Sequence, residues 1–400
     1  MLLLKQDESV RFLGAQRTKD LSTSMFKTVI KATALSMGLL SVSVLSVFST
    51  AHAQTNTSAN NENTQRLPSL SLDLSNVTVS GLSSGGYMAT QFQLAHSDWV
   101  KGVGVIAGGP YYCAKGDITT ALAQCVNKIE GSVDLEAINK QIARYESEGK
   151  IAPISNMKDA KVWLFHGTQD TRVITQVSDL LHKQYQSWTD TNNIAYINDK
   201  PVAHVFPTLS NGINCMESES PFIGNCDYDA AGAMLNHLID GLSTPDDAIS
   251  GQIYSLDQHA IAGDNAKTLA SEGFVYVPES CEQGTECRAH ISFHGCNQYA
   301  DAVGDAYTTQ TGINEWADDN NIVVLYPQTK KSLFMPLNPQ GCWDWWGYAS
   351  SDYANRDGDQ IKAVKQLLTS LNNRQSATTS DAALGKNTEM NHSIEAKNND

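Results

Sequence analysis

Apolar residues in this chain gather into short continuous runs divided by stretches with helical spacing. Residues 76–80 and 161–167 each read as a strand, residues 100–109 read as a strand running into a glycine turn, and residues 117–157 and 173–188 carry apolar side chains at helical intervals. The first of these strands is a short β-branched run, and the other two, too apolar to alternate, suit strands covered on both faces. Strand and helix in alternation therefore predict a mostly parallel sheet between helical layers. Later runs at 273–278, 289–295 and 321–327 read as further strands, the first two joined by a loop that Cys281 and Cys287 bracket. They are expected to extend the same sheet. No Pro-rich or Thr-rich linker separates the halves and nothing repeats, so residues 70–373 are expected to form one domain.

The ends differ from this pattern. An apolar run at 32–48 follows Lys27 and Lys31, and Ala51-His52-Ala53 supplies a small-x-small cleavage signal, so residues 1–53 read as an export signal. Its first 24 residues are long and polar for such a segment, which makes Met25 an alternative start. Residues 54–69 read as a flexible leader and 374–400 as a disordered tail, because neither holds enough apolar side chains to offset the entropy of ordering.

Composition narrows the partners. Four hundred residues with 41% hydrophobic content can bury a sizeable core, while a net charge of -15 repels nucleic acid and anionic membranes. A neutral substrate fits better. The eight cysteines all lie beyond the signal, and an even number in an exported chain implies disulfides. Spacing suggests Cys113–Cys125, Cys215–Cys226 and Cys281–Cys287, leaving Cys296 with Cys342, among the many pairings that eight cysteines allow. With no C-x-x-C pair and scattered histidines, no metal site is expected.

The candidate chemistry centres on Gly81-Leu82-Ser83-Ser84-Gly85, a G-x-S-x-G box between the run at 76–80 and a helix-compatible stretch. Such a strand, sharp turn and helix lift a serine hydroxyl clear of the sheet, and side chains at the glycine positions would clash with neighbouring elements. Ser83 is the expected nucleophile. The amide of Ser84, opening the helix, is an expected oxyanion donor. A serine needs a histidine to take its proton and a carboxylate to orient that histidine, normally in the chain order serine, acid, histidine. Asp170 follows a buried strand, where functional groups of parallel sheets collect. His204, in Val202-Ala203-His204-Val205-Phe206-Pro207, lies downstream of it, with His259, His290 and His294 as competitors. His52 goes with the signal, His392 with the tail, and His96, His182 and His237 have helical neighbours.

The second oxyanion donor normally comes from a His-Gly loop ahead of the nucleophile. Here Phe293-His294-Gly295-Cys296 comes after the whole triad. If the sheet closes as usual, the Cys296 amide faces the Ser83 oxygen, and the chain is expected to be circularly permuted.

Four segments together carry a family resemblance: residues 81–89, Phe293-His294-Gly295-Cys296-Asn297-Gln298, Tyr326-Pro327-Gln328 and Gly341-Cys342-Trp343-Asp344-Trp345-Trp346-Gly347. Across about residues 70–370 the chain resembles poly(3-hydroxybutyrate) depolymerases of the α/β-hydrolase superfamily, in their circularly permuted single-domain subgroup. The resemblance implies an α/β-hydrolase fold with Ser83 as nucleophile, Asp170 as acid, His204 as base, and the Ser84 and Cys296 amides as oxyanion hole. It further implies a neutral polyester or oligoester substrate with Trp343, Trp345, Trp346 and Tyr348 as candidate contacts, although the spacing of Trp343 and Trp345 also fits a plain core strand. No cofactor, no stable membrane insertion after signal removal, secretion or periplasmic residence, and a monomer are expected. Competing readings are a feruloyl or acetyl esterase acting on plant polysaccharide, and a non-catalytic polyester-binding protein.

Overall fold

The computed structural model describes residues 67–372 apart from Asp247. The expected signal at 1–53 with its alternative start, most of the leader and the tail at 374–400 lie outside the described residues.

Among the described residues eleven strands follow in chain order: β1 Ser71–Leu82, β2 Val100–Ile106, β3 Lys161–Phe165, β4 Ile194–Ile197, β5 Phe206–Thr208, β6 Ile213–Asn214, β7 Ile223–Asn225, β8 Gln252–Asp257, β9 Glu272–Val277, β10 Glu286–Phe293 and β11 Ile322–Tyr326. Eight form one sheet in the order β4-β3-β2-β1-β10-β11-β9-β8, and β5-β7-β6 form a small second sheet. Within the large sheet β9 runs antiparallel to both its neighbours, β8 and β11, and the other pairs are parallel. This is the α/β-hydrolase fold. Strands from both halves of the chain alternate across no boundary: β1 pairs with β2 on one side and with β10 on the other.

The middle strands are apolar because helices cover both their faces. Val77 and Val79 of β1, Val103 and Val105 of β2, and Ile291 and Phe293 of β10 join a core with Met88 and Phe92 of helix α1 (Ser84–Ala95) and with Ile361 and Leu367 of a last helix, Asp359–Asn372. Each such side chain contributes about 1.5–3 kcal/mol when fully buried. Helices α2 (Ile118–Gln124), α3 (Leu135–Ser147), α4 (Thr175–Gln186) and α5 (Ala230–Leu238) complete the layers named here. On the opposite face Met234 and Leu235 of α5 pack with Trp163, Phe165 and Val324. The helical stretch expected over 117–157 is broken into α2, α3 and a short 3-10 turn at Ile154–Met157. Asp117 and Asp134 each accept a backbone N–H from the first turn that follows, from Thr120 and Ala137, and so start separate helices.

Register then brings the strand ends together. Gly81 pairs with Phe293, and Leu82 with Ile106, while Ile106 pairs with Phe165. The loops leaving β1, β3 and β10 therefore emerge along one edge of the sheet, which is where parallel α/β sheets hold ligands.

Candidate active site

Ser83 leaves β1 with φ 58° and ψ -121°, a backbone conformation that side chains rarely adopt. Two bonds hold it there: its N–H donates to the Ile106 carbonyl (2.9 Å), and its own carbonyl accepts from Tyr87 N–H (3.1 Å). The flanking glycines are sterically required. A Cβ on Gly81 would lie 2.3 Å from the backbone of Gly85, and one on Gly85 would lie 2.1 Å from the Phe293 carbonyl oxygen. This is the geometry of a nucleophile elbow.

Asp170, in the loop after β3, is buried, and one carboxylate oxygen accepts the amides of Arg172 (2.8 Å) and Val173 (2.9 Å). The other lies 2.7 Å from Nδ1 of His204. Burial works against the Asp170 charge, but His204 and the Val173 amide outweigh it and hold the carboxyl below its ordinary value. An ionised Asp170 makes Nδ1 the donor, which leaves Nε2 of His204 with a free lone pair. His204 itself stands just before β5, its N–H donating to Ser218 Oγ (2.9 Å), on a segment tied down by the Cys215–Cys226 disulfide and the small sheet.

The loop after β10 comes next to the serine: a Cβ on Gly295 would lie 3.5 Å from that of Ser83. Gly295 N–H donates to Gln298 Oε1 (2.7 Å) and Asn297 N–H to the Gln340 carbonyl (2.6 Å). Between them, the Cys296 amide donates to no protein acceptor among the described residues, and neither does that of Ser84. Ser83, Ser84, His204 and Cys296 all line one cavity of about 400 Å³. Such an arrangement can transfer an acyl group from an ester to a hydroxyl and then to water.

A model of the prolyl oligopeptidase family matches residues 68–227. The poly(3-hydroxybutyrate) depolymerase of Delftia acidovorans is 38% identical over 318 residues, 78% of this chain, and this chain spans 63% of the length of that relative. The polyhydroxybutyrate depolymerase of Talaromyces funiculosus is 36% identical over 321 residues, 76% of this chain and 92% of that protein. The crystal structure of the PHB depolymerase from Penicillium funiculosum superposes with a TM-score of 0.70 at 36% identity, covering 75% of this chain and 96% of that one. The chain belongs to the polyhydroxybutyrate depolymerase family.

The histidines that compete with His204 in the sequence are engaged elsewhere. His290 is clamped between Thr78 Oγ1 and Ser80 Oγ, 2.8 Å from each, and burial pushes its pKa down to about 3. His294 donates from Nδ1 to the Gly295 carbonyl (2.7 Å) and accepts the Thr329 amide at Nε2 (3.2 Å), with its pKa down to about 4 through burial. His259 bonds the Leu269 carbonyl (3.1 Å). None of the three reaches Asp170.

All four disulfides suggested by spacing are present. Cys296–Cys342 joins the Cys296 loop to the tryptophan segment. That segment is not the core strand its spacing allows. Gly347 and Tyr348 amides donate to one oxygen of Asp344 and Ala349 and Ser350 amides to the other, winding the chain around a buried carboxylate. Burial raises its pKa to about 6, against the four amides, which favour the anion. Trp345 and Trp346 line the cavity, and Trp345 stacks on Tyr87 at 4.4 Å. Trp343 and Tyr348, also named as substrate contacts, do not line it. Trp343 is fully buried against Phe293 and His294, and the Tyr348 hydroxyl is held by Asn338, Gln360 and the Cys342 carbonyl.

Sequence reasoning missed several residues. His166, at the end of β3, is buried with Nδ1 2.7 Å from Ser178 Oγ, which donates to the Gly108 carbonyl. Burial keeps its pKa below the usual value against the pull of Asp170. Its place at the carboxyl end of a strand was the available signal. Ile118 and Leu122 of α2, half exposed at the cavity, carried none, because an apolar residue on a short helix reads as core. Among the described residues no group of three or more His, Cys, Asp or Glu could hold a metal ion.

Proposed function

We propose that this chain is an exported serine esterase that cleaves poly(3-hydroxybutyrate)-type polyester, or its 3-hydroxyacid oligomers, through an acyl-enzyme. The observation that carries this reading is the 2.7 Å Asp170–His204 pair, whose histidine lines one cavity with the strained Ser83. Ser83 Oγ attacks the ester carbonyl while His204 Nε2 takes its proton. The Ser84 and Cys296 amides receive the oxyanion, and their freedom from protein acceptors means that no bond is broken in doing so. His204 then gives the proton to the leaving alkoxide, and water activated by the same histidine releases the acid. The apolar wall of Leu122, Val126, Phe222, Trp345 and Trp346 suits an aliphatic polyester.

The relatives support the substrate class. Two are polyhydroxybutyrate depolymerases by name, and a PHB depolymerase structure at 35% identity and a TM-score of 0.70 holds an R3HB trimer. A solid surface would meet the exposed Leu333, Phe334 and Met335, which precede the cavity-lining Asn338, Pro339 and Gln340. Export rests on the apolar run at 32–48 and on four disulfides, which persist in oxidising compartments. The sheet order, with β8 to β11 filling the positions beside the β1 edge opposite β2, supports a circular permutation. Purified protein assayed in parallel on amorphous polyhydroxybutyrate, soluble (R)-3-hydroxybutyrate trimer and methyl ferulate tests the reading. Hydrolysis of the first two is expected, and cleavage of the ferulate alone would overturn it.

A further inference from the structure

We propose that Arg172 recognises the free carboxylate end of a short 3-hydroxyacid oligoester; the proposal rests on the polyester-hydrolase reading above. The cavity wall is otherwise made of apolar side chains, amides, hydroxyls and His204, with no aspartate or glutamate. Arg172 is its one Lys or Arg among the described residues. Of the four arginines among the described residues two are in ion pairs and two, Arg172 and Arg288, are not, and Arg288 does not line this cavity. Arg144 and Arg356 are paired, with Glu148 and Asp98. Arg172 makes no ion pair among the described residues, and its Nη2 donates to the Ser218 carbonyl at 3.0 Å. The rest of its N–H fork is available to a planar anion.

Its placement fits one end of the substrate. The Arg172 amide is held by Asp170, and Ser218, which accepts from the guanidinium through its carbonyl, accepts the His204 amide through its hydroxyl. Arg172 is thus bound to the same short frame as the base. In an oligo(3-hydroxyacid) the acyl side of the cleaved ester ends in a hydroxyl, and the leaving-alcohol side ends in the carboxylate. His204 delivers its proton to the leaving oxygen, so the alcohol portion passes His204 and its carboxylate lies toward Arg172. The interior of a long polymer offers no such charge. Arg172 would therefore favour soluble free-acid oligomers over their esters, and the released hydroxyacid would compete for the same group.

Steady-state kinetics of the full chain on (R)-3-hydroxybutyrate trimer, as free acid and as methyl ester, test this in wild type, Arg172→Gln and Arg172→Lys. The acid is expected to show a KM roughly two- to fivefold lower than the ester, the size of one exposed ion pair. Salt at about 0.5 M should shrink the difference. Arg172→Gln should bring the ratio close to one, and Arg172→Lys should retain part of it. Equal KM values in wild type, or a preference that survives Arg172→Gln, overturn the proposal while continued hydrolysis leaves the esterase reading standing. Calorimetric binding of both trimers to Ser83→Ala protein reads recognition without turnover. Tighter binding of the acid that is lost in Ser83→Ala/Arg172→Gln supports the assignment, and equal binding of acid and ester contradicts it.

Discussion

The Cβ that Gly85 lacks would lie 2.1 Å from the carbonyl oxygen of Phe293, so the helix after Ser83 is pressed against the end of the strand that delivers Cys296. Ser83 and the Cys296 loop are fixed relative to each other by backbone contact. Gly85→Ala must push β10 away from α1, which should cost about 1–3 kcal/mol of stability. A shift near 1 Å at the site should also lower kcat on the order of a hundredfold. Thermal melts and trimer hydrolysis check both, and a variant with wild-type rates would show that the contact does not set the site.

Asp170 supports a pH prediction. Its carboxyl is held below the ordinary value of 3.8, so it adds stability above that pH and loses it as pH falls through the lower folded value. Asp170→Asn removes this contribution. The difference in Tm between wild type and Asp170→Asn should be widest above the ordinary carboxyl value and should narrow as the pH falls below it. Loss of the correct His204 tautomer should cost on the order of 10⁴ in kcat. A Tm difference independent of pH would place the Asp170 charge outside the folding balance.

Asp344 holds the aromatic loop through four amide hydrogen bonds. An asparagine turns a donor toward two of those amides and leaves them unmatched, at about 1–3 kcal/mol for each buried group. Asp344→Asn should lower Tm and, because Trp345 and Trp346 line the cavity, raise KM for the trimer more than it changes kcat. Unchanged KM would detach the loop from substrate binding.

What could be read from the sequence follows burial. β2, β3 and β11 show as largely apolar runs because both faces are covered, whereas the edge strand β8 mixes exposed polar with buried apolar positions and β4, Ile-Ala-Tyr-Ile, is apolar but only four residues long. β5, β6 and β7 are too short to carry a period. Asp170 and His204 were picked out by the loop position after a buried strand, by chain order and by the family resemblance, chain order alone leaving other histidines in competition. The role of Asp344 was not, since nothing in Trp343-Asp344-Trp345 separates a strand from a loop wrapped around its own carboxylate.

Removing the C-terminal half tests the sheet. A chain ending near Ser250 keeps β1 but loses β10, its partner, along with β8, β9 and β11. The exposed edge and half-core should make the fragment insoluble or unfolded. A soluble, active fragment would rule out both the permutation and the Cys296 role.

The central claim is that Ser83 is the nucleophile of a polyester hydrolase, and turnover of amorphous polyhydroxybutyrate by wild type and Ser83→Ala tests it most directly. Wild type should clear the suspension, and a Ser83→Ala protein with an unchanged melting curve should be slower on the order of a millionfold. Near-native clearing by a folded Ser83→Ala protein would contradict the account.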